Sequence, residues 1–104
     1  MNKEMLKGTI DILILSVLLS GDNYGYEISK RIKARSDDLF EILEATMYIA
    51  LKRLEKNQFI EAYWGNETGG GRRRYFKITD LGKEQLKILS ADWEQTVQLV
   101  NKFI

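Results

Sequence analysis

A chain of 104 residues suffices for one domain with a modest core. It has no Cys and no His, which excludes disulfides, thiolate nucleophiles, imidazole general bases and zinc sites built from those side chains. The net charge is only +1, but Tyr24–Lys77 carries 11 basic against 8 acidic residues (net +3), and the remainder 5 against 7 (net −2). A positive centre between slightly acidic ends has the sign that a nucleic-acid-reading surface needs. The carboxylates are scattered among Lys and Arg with no converging pair, so no enzyme activity is expected, and no metal or cofactor. No basic, apolar leader opens the chain, and Ile10 to Leu19, interrupted by Asp11 and Ser16, falls short of the roughly 20 residues that span a bilayer. The expectation is a soluble cytoplasmic protein without membrane contact.

Lys3 to Leu19 reads as the first helix, apolar on more than one face and therefore buried on two sides. One side belongs to the domain's own core; the other needs the C-terminal helix or a second subunit. Gly21 suits the left-handed residue that ends a helix. A second helix is expected from about Tyr24 to Arg35, with Ile28 and Ile32 inward and a basic flank of Lys30, Arg31, Lys33 and Arg35. Ser36, Asp37 and Asp38 break it, and Leu39–Ile42 leads on as a short extended piece.

The central helix is expected over Glu44 to Phe59. At about 100° per residue, Met47, Ala50, Leu51 and Leu54 share a core-facing stripe. Ala45, Tyr48, Ile49, Lys52, Arg53 and Lys56 share the opposite arc. An ordinary solvated face mixes Lys with Glu and does not expose Tyr and Ile. Leu43 stands where a polar cap is favoured, and Glu44 compensates in part through the helix dipole. Asn57 is expected to close the helix in the left-handed conformation.

A hairpin follows. Ile60, Ala62 and Trp64 alternate with Glu61 and Tyr63; on the return, Arg74, Phe76 and Ile78 alternate with Arg73, Tyr75 and Lys77. The tip, residues 65 to 71, is glycine-rich but lacks the Lys and the following helix of a nucleotide loop. Thr79 caps the last helix, with Asp80 in its first turn. Leu86, Leu89, Trp93, Val97, Val100 and Ile104 follow at spacings of 3, 4, 4, 3 and 4, close to a coiled-coil seam.

Three helices, then a hairpin whose return opens with Arg72, Arg73 and Arg74, is the order of a winged helix-turn-helix: mainly α with a β-hairpin wing, an α+β domain. A helix fits the major groove, where Thr46, Tyr48 and Ile49 would meet base edges and thymine methyls. Lys52, Arg53 and Lys56 would reach phosphates. The three arginines would neutralise phosphates or enter the minor groove. The division expected is a DNA-binding domain over residues 1–78 and a dimerisation helix over 79–104.

Four blocks in order carry a family resemblance: Tyr24-Gly25-Tyr26-Glu27-Ile28; Glu44-Ala45-Thr46-Met47-Tyr48 with Leu51-Lys52-Arg53-Leu54-Glu55-Lys56; Gly70-Gly71-Arg72-Arg73-Arg74-Tyr75-Phe76; and Ile78-Thr79-Asp80-Leu81-Gly82. Over nearly the whole chain it resembles the PadR family of bacterial transcriptional regulators, in the small branch that includes a multidrug-responsive repressor. The resemblance implies a homodimeric repressor on a double-stranded operator with two-fold symmetry. It extends the DNA-binding set to Tyr24, Ala45 and Gly70 beside Thr46, Tyr48, Ile49, Lys52, Arg53, Arg72 and Arg73. It also implies a site for a planar aromatic ligand at the dimer interface, lined by Met5, Asp11, Ile12, Leu89 and Trp93. Leu43 and Gln58 depart from the family pattern, which has a polar cap and a glycine there, and Val97 replaces an acid of the drug-responsive repressor. Other readings are a winged-helix module for protein–protein contacts alone, and a small-molecule sensor whose DNA role is lost.

Overall fold

The computed structural model describes residues 9–66 and 71–104. Helix α1 is Ile10–Leu19, strand β1 Asn23–Tyr24, α2 Gly25–Arg35, α3 Glu44–Lys56, β2 Ile60–Trp64, β3 Arg74–Ile78 and α4 Asp80–Asn101. Of the helix expected from Lys3, residues 3–8 lie outside the described residues. So do Met5 and Gly70, expected for ligand and DNA.

The core forms where the apolar stripes converge. Ile14, Leu15 and Leu18 of α1 meet Ile28 of α2, Met47, Leu51 and Leu54 of α3, and Ile60 of β2, all at most 1% exposed. Each contributes roughly 1.5–3 kcal/mol of transfer free energy. Helix α1 is the hub, packing against α2, α3, α4 and β3. The next layer of α1, Ile10, Ile12 and Leu13, is only partly covered.

The sheet differs from the expected hairpin by one strand. Its order is β1-β3-β2, antiparallel throughout. Asn23 pairs with Phe76 and Tyr24 with Tyr75, so Tyr24 is a strand residue and the N-cap of α2 rather than its first turn. In the hairpin Ile60 pairs with Ile78 and Trp64 with Arg74, and Gly65 N–H donates to Arg73 carbonyl at 2.8 Å where the strands part. Core-facing Ile60, Ala62, Phe76 and Ile78 alternate with outward Tyr63 and Tyr75 as the period of two demands.

Two helix ends correct the local reading. Asn57 stays near the right-handed region (φ −85°, ψ 5°), and Gln58 takes the left-handed position at φ 64°. Gln58 N–H donates to Glu55 carbonyl (3.0 Å) and Phe59 N–H to Leu54 carbonyl (3.0 Å), the paired bonds of a Schellman end. Asp37, at φ 54°, closes α2 in the same way through Asp37 N–H to Ala34 carbonyl and Asp38 N–H to Lys33 carbonyl. Gly21 lies at φ 151°, positive but far from the left-handed helical value. Leu43 caps α3 with no side-chain bond.

Thr79 joins the end of α3 to the start of α4. Its hydroxyl donates to Gln58 carbonyl (2.7 Å) and accepts from Gly82 N–H (2.9 Å), while its own N–H donates to Phe59 carbonyl (3.1 Å). Helix α4, with 22 residues, then runs about 33 Å at 1.5 Å per residue. Only Gly82 and Leu86 in it are buried, and the molecule is drawn out to 56 × 29 × 21 Å.

A Cβ on Gly82 would lie 2.0 Å from Phe59 carbonyl oxygen and 2.9 Å from Ile78 Cγ1. Gly82→Ala should therefore cost about 3 kcal/mol or more, because backbone blocks the way. Gln58→Gly should raise stability by up to about 1 kcal/mol by relieving a side chain at positive φ. Urea midpoints at one fixed protein concentration check both signs.

Candidate nucleic-acid interface

The outward arc of α3 is open. Tyr48 is 56% and Ile49 65% exposed, and Ala45, Lys52 and Lys56 are exposed beside them; Thr46 is half-buried. Arcs of one helix diverge by period alone, so burying Met47, Ala50, Leu51 and Leu54 forces these residues outward.

Across from this face stands the return strand. Between them lies a cleft of about 660 Å³, walled by Tyr48, Lys52 and Glu55 of α3, by Tyr24 and Gly25 at the start of α2, and by Arg72–Arg74. Gly25 leaves room in this wall: a Cβ there would make only ordinary contact with Leu51 Cδ1 at 3.7 Å and Tyr48 Cε1 at 4.0 Å.

The three arginines have different tasks. Arg74 shares the inward side of β3 with Phe76; its Nη2 donates to Glu55 Oε2 at 2.8 Å and its guanidinium lies 5.7 Å from the Phe76 ring centre. It is a strut from the wing to α3, not a free phosphate contact. Arg73 holds its guanidinium 4.7 Å from the Tyr24 ring centre, within cation–π range. Arg72 is exposed. Among the described residues Arg72, Lys52 and Lys56 have no carboxylate partner.

Tyr24 is itself held by an aromatic row on the outer face of the sheet. Tyr24 meets Tyr75 edge-on (5.5 Å, 70°), and Tyr75 stacks on Tyr63 (5.7 Å, 16°). At its far end Tyr63 hydroxyl donates to Asp22 Oδ2 at 2.6 Å. That bond to an anion favours the neutral phenol and pushes the Tyr63 pKa up to about 12; partial burial and the nearby charge of Asp22 act in the same direction.

Arg53 points from α3 to the first helix. Its Nη2 donates to Asp11 Oδ1 in the first turn of α1. This separates Asp11 from the other residues expected around an aromatic ligand. Ile12 and Trp93 do come together, on a mostly apolar groove of about 560 Å³ completed by Leu13, Ile32, Arg35 and Phe40. Leu89 packs half-buried against the core and does not line that groove. Trp93 is 48% exposed.

Three pairings escaped the sequence reading. Alternation alone puts Arg74 on the side of Phe76, which is the signal that would have found its partner on α3. The Tyr63–Asp22 and Arg53–Asp11 bonds join residues 41 and 42 positions apart, and no local pattern marks them.

Residues 14–88 match the Transcriptional regulator PadR-like family. A transcriptional regulator from Clostridium thermocellum is 45% identical, covers 98% of this chain and 99% of its own, and superposes with a TM-score of 0.92. A PadR family transcription regulator from Clostridium difficile is 44% identical, covering 90% of this chain and 96% of its own, with a TM-score of 0.78. An uncharacterised protein of Lysinibacillus sphaericus is 42% identical over 101 residues, which is 97% of this chain and 93% of that relative.

The Tyr63 hydroxyl gives a pH signature. A folded-state pKa of about 12 lies above the ~10 of an unfolded tyrosine. The stability it lends is thus complete below pH ~10 and is lost as pH rises toward about 12. Tyrosine 13Cζ titration should show one ring ionising near pH 12, absent in Tyr63→Phe. In Asp22→Ala its midpoint should fall toward ~10.

Proposed function

Because the chain belongs to the PadR-like family of transcriptional regulators, we propose that it is a homodimeric repressor. It binds a two-fold operator and is released by planar aromatic molecules. The observation that carries the DNA-reading part is the single cleft onto which α3's outward face and the wing arginines both open. Tyr48, Ile49 and Thr46 read base edges in the major groove, with Ala45 small enough to let the backbone approach. Lys52 and Lys56 bind phosphates along the groove wall. Arg72, and Arg73 beside Tyr24, follow the wing onto the backbone, and Gly70 is proposed to join them. Neither catalysis nor a cofactor enters this reading, and the site of action is the cytoplasm, where the operator is.

Dimerisation falls to residues 79–104 together with α1. In one chain α4 leaves Trp93 (48%), Val100 (47%) and Leu99 (58%) exposed beyond Leu86, with Ile104 (94%) after its end. An uncovered apolar stripe of that length favours a partner surface. Two copies related by a two-fold axis would set two α3 helices for half-sites about one helical turn, ~34 Å, apart. The groove at Ile12 and Trp93 lies on that same side of α1 and α4 and supports an aromatic site there. Trp93 offers a stacking face, and Met5 would add an adaptable thioether wall. A ligand that altered the angle between the two α4 helices would alter the spacing of the α3 pair and so release DNA.

Binding to the protein's own upstream region, followed across a salt series, tests the reading. Arg72→Ala should weaken operator and random duplex alike and lower the salt slope by about one. Tyr48→Ala should weaken the operator more than random DNA; equal loss on both would remove Tyr48 from the specificity set.

The assembly has its own measurements. Val97→Asp should shift the protein toward monomer in sedimentation, and a wild-type chain already monomeric at micromolar concentration would overturn the dimer. Planar dyes should quench the fluorescence of Trp93 but not that of Trp64, and Trp93→Ala should lose dye binding while still dimerising.

A further inference from the structure

We propose that Asp11 is an intramolecular stand-in for a DNA phosphate: it holds Arg53 in the free protein and gives it up to the sugar-phosphate backbone when a duplex arrives. The proposal rests on the DNA-binding reading above and deepens it by naming a residue that sets affinity from outside the contact surface.

Arg53 lies one turn after Ile49 and one turn before Lys56 on the outward arc of α3, and 47% of its side chain is exposed. By position it belongs with the cations that meet DNA. Yet one terminal nitrogen is bonded to Asp11, whose side chain is 27% exposed at the start of α1. Among the described residues Asp11 has no other side-chain partner, and no ring backs the pair.

The contrast with Arg74 is informative. Arg74 bonds Glu55 and lies on Phe76, so it is held from two sides and joins two elements that must keep their angle. Arg53 is held from one side only, by one of its two terminal nitrogens. A guanidinium has five N–H donors in a fixed fork, so the rest remain able to engage a phosphate before the carboxylate lets go. Exposed ion pairs are weak because water and salt screen them. A duplex presents a dense row of phosphates whose counterions are released on contact. Exchange therefore runs toward DNA, but the net gain from Arg53 is reduced by the bond it leaves. Asp11 thereby keeps affinity below what the basic face alone would give. Asp11 also neighbours Ile12, so the helix that holds Arg53 is the one that walls the apolar groove.

The test uses a random-sequence 20-base-pair duplex, so no operator need be known. Anisotropy titrations on wild type, Asp11→Asn, Arg53→Ala and the double variant form a cycle. Asp11→Asn should bind about two- to fivefold tighter, the fold-change that matches one exposed ion pair. In the Arg53→Ala background the same change should have no effect. Arg53→Ala should cost more affinity when Asp11 is already replaced. The Nε–H resonance of Arg53 in wild type should move on adding the duplex, a readout that needs no variant to fold.

Three results would overturn the proposal. If Asp11→Asn is no tighter, Asp11 is a strut. If it is tighter but equally so without Arg53, the effect is long-range charge alone. If the Arg53 resonance stays still while the duplex binds, Arg53 never leaves Asp11. In all three the DNA-binding reading stands, whereas a wild-type protein that binds no duplex removes both.

Discussion

Everything in this molecule depends on burying helix α1. Ten residues, IDILILSVLL, are apolar nearly all round, so the helix is stable only when covered on several sides. Ile14, Leu15 and Leu18 are at most 1% exposed because α2, α3 and β3 close on them. That packing seats α3 with its second face outward. It also draws the first turns of α4 against α1, where Leu86 reaches 8% exposure. The face of α1 that remains, with Ile12 and Leu13, forms the wall of the Trp93 groove. The hydrophobic demand of one helix thus fixes both surfaces to which function is assigned.

A helix proposed to read DNA with its outer face cannot be tied down firmly there. Its ties lie at its edges and end. Arg74 binds Glu55 on the wing side; Arg53, on the outward arc, has only the single exposed bond to Asp11 that is proposed to give way to DNA. The Schellman end at Gln58 and the Thr79 hydroxyl lock its last turn to α4, with Gly82 pressed against Phe59 carbonyl. The end of α3 and the start of α4 are thus joined by direct contacts at Thr79 and Gly82.

Where the sequence was legible, a strong period carried the information. Met47, Ala50, Leu51 and Leu54 are all buried, as a stripe at helical spacing requires, and the strands from Ile60 and Arg74 follow alternation. Thr79 caps α4 as its residue type demands. Strand β1 is two residues long, too short to show any period, and exists because Tyr24 and Asn23 find β3. The left-handed residue after α3 falls on Gln58, not Asn57. The C-terminal geometry sets that position by counting from the last helical carbonyl, and residue preference for positive φ did not override it. The candidate interface was legible as a face of α3 and a run of arginines. The division of those arginines was not, because it depends on partners far away in sequence.

That division explains how a chain of net charge +1 presents a basic face. Cations gathered on one surface repel each other and weaken the fold. Two acids, Glu55 and Asp11, stand beside two of the arginines and relieve that repulsion where geometry matters. Lys52, Lys56 and Arg72 are left to water, where an exposed charge keeps its hydration and costs the fold little. Arg73 holds its guanidinium over the Tyr24 ring, whose π face attracts the cation. Tyr24 in turn is braced through Tyr75 to Tyr63, and Tyr63 is anchored on Asp22 outside the cleft. The carboxylate that steadies this row sits at its Tyr63 end, while Glu55 in the cleft is engaged by Arg74.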